Sequence, residues 1–104
     1  MKDSIIIDME YADYDIIDGT PNPERHHIFE GVRWRHLADC DGLWIPLSHK
    51  NHQDSKCSAH GCKYVKTLLH IIGQLAYEKH LVAEGMTEEE ARQAFLKRYG
   101  EKFL

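Results

Sequence analysis

Residues 25–31 read Arg25-His26-His27-Ile28-Phe29-Glu30-Gly31. His27-Ile28-Phe29-Glu30 predicts a short strand that Gly31 stops. Neighbours on a strand point to opposite sides. His26 and His27 therefore cannot both reach one ion without a bend. The pair suits a division of labour, with one ring ligating metal while its neighbour acts as a base. Imidazole ligates divalent ions and titrates near neutral pH, so it serves both tasks.

Downstream, Asp41-Gly42 makes a tight turn before a second strand, Leu43-Trp44-Ile45-Pro46-Leu47. Pro46 has no N–H to donate, so this strand lies at an edge or ends there. Residues 48–62 are polar and aperiodic and read as a loop. That loop carries His49, His52 and His60. His52 and His60 are placed to close a metal site, with His49 able to replace His52. A helix follows over 63–84, because Val65, Leu68, Leu69, Ile72, Leu75 and Ala76 share one apolar face. That stripe is core or a dimer face. Thr87-Glu88-Glu89-Glu90 is a capping box opening a second helix over 88–99, which Gly100 ends. Phe103-Leu104 is expected to fold back onto the core. Upstream, Asp18-Gly19-Thr20-Pro21-Asn22-Pro23 is a turn, and residues 4–17 are edge strands or an arm packed on the domain.

Composition bounds the class. The chain has 104 residues, 42% apolar and 29% charged, with a net charge of −4. This describes one domain over 1–104, neither disordered nor fibrous. No apolar run approaches the roughly 18 residues that cross a bilayer, so no membrane role is expected. Ile5-Ile6-Ile7, flanked by Asp3 and Asp8, is no secretory signal, and the expected location is the cytoplasm. Residues 1–24 carry Lys2 against seven acids, a net of −6. Residues 25–66 carry seven bases against four acids, a net of +3. An acidic arm thus precedes a mildly basic middle, which is compatible with phosphate contact. Six of eight histidines fall within 26–60. His36, His70 and His80 read as surface or satisfied polar residues, and Trp34 and Trp44 as packing residues. Three cysteines, an odd count, argue against a disulfide framework. Cys57, Cys62 and His60, with Cys40 or His52, form an alternative structural zinc set.

The order of these segments resembles the HNH, or ββα-metal, endonuclease family. The resemblance rests on Arg25–Gly31, then Gly42–Ser48, then His49-Lys50-Asn51-His52, then Ala59-His60-Gly61 leading into the helix. It is most similar to small phage-borne HNH-like proteins related to the phage recombination-enhancement nucleases. Phe95 and Tyr99-Gly100-Glu101-Lys102-Phe103-Leu104 add to it. It implies an α+β fold with short antiparallel strands around a ββα-metal core over 25–76, and a helical part over 77–104. It implies His26, His52 and His60 as ligands of one divalent ion (Zn, Mg, Mn or Ni), and His27 as general base. Arg25, Arg33 or Arg35 would hold phosphate oxygens. The implied activity is DNA phosphodiester hydrolysis of low sequence specificity, with a recombination or other phage protein as a possible partner. Where the family usually has a middle Asn, this chain has Asp41-Gly42. A Cys-x-x-Cys knuckle before the His pair is replaced by Ile17-Asp18-Gly19-Thr20. A catalytically inactive, metal-stabilised adaptor or regulator of the same fold is the alternative, and a metal-free interaction module is a third reading.

Overall fold

The computed structural model describes residues 2–54 and 58–104. It is a mixed α+β fold. The element order is β1 (Glu24–His27), α1 (Val32–Asp41), β2 (Trp44–Leu47), a π-helical turn (Lys50–Asp54), α2 (Lys63–Ala83) and α3 (Glu88–Tyr99). β1 and β2 form one antiparallel sheet, with Glu24 opposite Leu47, Arg25 opposite Pro46, His26 opposite Ile45 and His27 opposite Trp44. Both strands of so small a sheet are edges, so Pro46 breaks no ladder between neighbours. No helix among the described residues is long and apolar enough to cross a membrane.

Two expectations need correction. The first strand covers 24–27, not 27–30. Ile28 and Phe29 leave the ladder after Ile28 N–H bonds to Leu43 O, and both side chains turn into the core. Core burial of two large side chains outweighs continued strand pairing here. The second correction is α1, a helix that separates the two strands. Its inner face is carried by Trp34, Leu37 and Ala38 at helical spacing, with Gly31 and Gly42 at its ends. Gly42 closes it in the left-handed conformation (φ 70°), and a Cβ there would strike Asp3 O. Glycine meets both requirements.

α2 and α3 run as expected, with α2 ending at Ala83 and Glu84 as its cap. The Thr87 capping box forms in both directions, Glu90 N–H to Thr87 Oγ1 and Thr87 N–H to Glu90 Oε1. Phe29 is the hub of the core. Its ring meets Trp34, His70, Phe95, Tyr99 and Phe103 at centroid distances of 4.6–5.8 Å. Phe103 does fold back, donating its N–H to Gln74 Oε1 at 2.7 Å, whereas Leu104 stays exposed. His70 departs from its expected role. It stacks on Phe29 and meets the Phe103 ring at a tilt, and its buried Nε2 has no hydrogen-bond partner among the described residues.

α2 rests directly on the Ile28-Phe29 bend through Gly73. A Cβ on Gly73 would lie 2.6 Å from Ile28 Cγ2 and 2.9 Å from Phe29 Cε2. Gly73→Ala is therefore expected to destabilise the chain by about 1–3 kcal/mol through overpacking. Urea unfolding of the variant beside the wild type measures this, and an unchanged midpoint would contradict it.

The acidic arm is anchored through a buried carboxylate. Asp15 is 3% exposed. It accepts hydrogen bonds from the N–H groups of Ile17, Asp18 and Ser48 and from Asn51 Nδ2. Burial alone would raise this carboxyl. The bonds from Ser48, Asn51, Asp18 and Ile17 outweigh it and hold the group at about 2, against an ordinary value of 3.8. A depressed carboxylate stabilises the fold above its unfolded pKa and loses that effect as pH falls through the folded one. Asp15 should contribute about 2 kcal/mol near neutral pH. The stability gap between wild type and Asp15→Asn is expected to narrow as pH falls from about 4 to 2. Denaturant melts across that range check this, and a gap independent of pH would contradict it.

Candidate metal centre and the cleft around it

Backbone geometry first brings the histidines together. His26 sits on β1 opposite Ile45 and is 2% exposed. After β2, Asp15 fixes Ser48 and Asn51, and His52 N–H bonds to Ser48 O in the π-helical turn. The chain then returns on itself. Ala59 N–H bonds to Asn51 O at 2.9 Å and His60 N–H to His52 O at 3.1 Å. Two backbone bonds thus close the eight-residue spacing between His52 and His60, just before α2 begins.

The result is one group of converging nitrogens. One ring nitrogen from each of His26, His52 and His60 lies within 4.8 Å of the others. This group could hold a metal ion. Burial, and then the charges of His52, His60 and His27, push the His26 imidazole down to about 3. His26 is therefore neutral at pH 7 and offers a lone pair. His52 Nδ1 lies 3.0 Å from Glu24 Oε1. That contact places a proton on Nδ1 and turns an Nε2 lone pair inward. The hydrogen bond to His52, against a smaller opposing effect of burial, holds Glu24 below the usual carboxylate range. His60 Nδ1 lies 2.9 Å from Glu30 Oε1. The two Nε2 atoms face each other at 2.8 Å.

A divalent cation fits this donor set. Glu30 Oε1 is buried and accepts no hydrogen bond among the described residues, although His60 Nδ1 lies 2.9 Å away. Its other oxygen meets Lys66 Nζ at 3.1 Å. An orphaned carboxylate oxygen beside the imidazoles of His26 and His60 gains from a cation between them. Metal ligation uses neutral imidazole nitrogens, so binding should weaken as pH falls.

His26, His27, His52, His60, Arg25 and Arg35 line one cleft of about 270 Å³, together with Glu30 and Gln53. His27 Nε2 lies 3.2 Å from Asp39 Oδ1 of α1. A carboxylate there fixes the proton on Nε2 and leaves Nδ1 as the basic atom. Arg25 stacks on the Trp44 ring at 4.2 Å. Trp44 and Trp34 are packing residues, as expected.

Other candidates fall elsewhere. His49 touches the Glu24 carboxylate at 3.3 Å, but its side chain is 58% exposed and it is not part of the converging group. Arg33 is exposed in the first turn of α1 and does not line the cleft. The cysteine-based zinc set does not assemble among the described residues. His60 belongs to the histidine group, which contains no cysteine. Cys40 is exposed on α1 beside His36, Cys62 caps α2, and Cys57 lies outside the described residues. The Asp41 carboxylate accepts hydrogen bonds from Arg98 (2.7 and 2.9 Å) and Tyr99 Oη (2.7 Å).

Glu24, Glu30 and Asp39 were not singled out by sequence. Each acts through a histidine distant in the chain or across a turn, so no local spacing announces it. Comparison with protein-family models, curated proteins and solved structures finds no match for this chain. The functional reading rests on the site.

Proposed function

We propose that the chain is a metal-dependent endonuclease of the HNH type, cleaving DNA phosphodiester bonds inside the cell. One observation carries this reading. The three-histidine group and His27 line a single cleft with Arg25 and Arg35, and Asp39 meets His27 Nε2 from outside that cleft. His26, His52 and His60 would hold one divalent ion, supplying charge neutralisation at the scissile phosphate and the leaving oxygen. Histidine donors suit Zn, Ni or Mn better than an ion confined to hard oxygen ligands.

The chain's own residues supply the rest. His27 Nδ1 takes a proton from the attacking water, and Asp39 stabilises the resulting imidazolium through Nε2. Arg25 and Arg35 hold phosphate oxygens with forked donors. Such contacts carry no base information, so cleavage should be weakly sequence-specific. The engagement of Asp41 by Arg98 and Tyr99 favours a second reading, a metal-stabilised adaptor without catalysis. Nicking of supercoiled plasmid by metal-stripped protein separates them. Adding Mg, Mn, Ni or Zn in turn should restore nicking with at least one ion. No nicking with any of them would reject the nuclease and leave the adaptor.

A further inference from the structure

The metal cleft adjoins a second one along α1. His27 and Arg35 are walls of both. Val32, His36 and Asp39 complete the second cleft, which has a volume of about 380 Å³. Val32 is 94% exposed in the first turn of α1, and Arg35 and His36 are exposed as well. The Arg35 guanidinium makes no ion pair or hydrogen bond among the described residues, although Asp39 stands one turn further along the helix. Asp39 turns Oδ1 to His27 Nε2 instead. A cation without a partner among the described residues thus stands between the two clefts. Charge selects the side on which a bound polyanion leaves the metal centre. Beside the π-helical turn it would meet Glu24 on His52 and Asp18 on Asn51. Beside α1 it meets Arg35 and His36. Like charge repels a phosphate on the first side, and unlike charge attracts it on the second.

We propose that the α1 cleft binds the nucleoside adjoining the scissile phosphate of a DNA strand, with Arg35 holding the phosphate between the two clefts. This rests on the nuclease reading above. The lining matches a nucleoside better than a second phosphate. Val32 offers an apolar face to a sugar or base, and a His36 ring nitrogen can donate or accept a hydrogen bond. Asp39 Oδ2 has no partner among the described residues and accepts from a base amine or ring N–H. A phosphate in the same place would face that carboxylate.

Metal-stripped protein separates binding from cleavage. Deoxyadenosine monophosphate is titrated into it while the Val32 methyl and the His27 and His36 ring signals are followed by NMR, with inorganic phosphate as the comparison. The nucleotide should shift all three, whereas inorganic phosphate should shift His27 and leave Val32 in place. Val32→Asp, an exposed change that suits the first turn of a helix, should weaken the nucleotide roughly tenfold. A single-stranded oligonucleotide of about ten residues tests Arg35. Arg35→Ala should lower the slope of log affinity against log salt by about 0.7, the share of one phosphate. Arg33→Ala removes the same charge two residues away, outside both clefts, and should keep the wild-type slope. A Val32 signal unmoved by the nucleotide, or moved equally by inorganic phosphate, would overturn the nucleoside site. Equal slopes for Arg33→Ala and Arg35→Ala would overturn the bridging role of Arg35. None of these readouts needs cleavage, so absent plasmid nicking with nucleotide binding intact would reject the nuclease alone.

Discussion

His27→Ala is expected to lower metal-dependent plasmid nicking by roughly 10²–10⁴-fold, the range that a positioned base contributes. Bound metal and melting temperature should stay near wild type. His27 lies in the cleft without belonging to the converging nitrogens, so its removal leaves His26, His52 and His60 in place. Its side chain meets Asp39, which is half exposed and can turn to solvent when the ring is gone. Asp39→Asn should give a smaller loss, because it withdraws the charge that stabilises the imidazolium while keeping a side chain of the same shape. Nicking by His27→Ala at the wild-type rate would refute the base assignment. Loss of metal in that variant would instead place His27 among the ligands.

His60→Ala carries the second large effect, and it falls on the ion. At an ion concentration about 1,000-fold above Kd, a chain that binds only when folded gains about 4 kcal/mol. The wild type should show that gain as a rise in melting temperature when Zn or Ni is added. His60→Ala should show almost none, since two imidazoles remain and Glu30 loses the ring beside it. His49→Ala is the contrast. His49 is largely exposed on the outer side of Glu24, so its removal should keep the ion-dependent rise. Equal stabilisation of His60→Ala and wild type would remove His60 from the centre.

The parts of the fold that were legible in the sequence are those fixed by local chemistry. The stripe from Val65 to Ala76, the Thr87–Glu90 capping box and Gly100 place α2 and α3 almost residue by residue. Leu43–Leu47 likewise marks β2 to within one residue. α1 escaped because Trp34, Leu37 and Ala38 stand among arginines and aspartates, and Gly31 offers no side-chain cap. Ile28 and Phe29 look like strand residues, but they are committed to the core beneath Gly73, which only the tertiary packing reveals.

The site divides in the same way. The histidine identities stand out because six crowd into 26–60. Their meeting depends on bonds that no spacing rule specifies, from Ala59 to Asn51 and from His60 to His52. Asp15 shows the point from the other direction. In composition it is one of seven acids in a charged arm, yet in the fold it is buried and secures the turn that carries His52.

Calorimetric titration of metal-stripped protein with Zn tests the central claim most directly. The account predicts one ion per chain, proton release on binding, and no binding by His60→Ala. A wild-type chain that takes up no ion, or binds it unchanged after loss of His60, would contradict it.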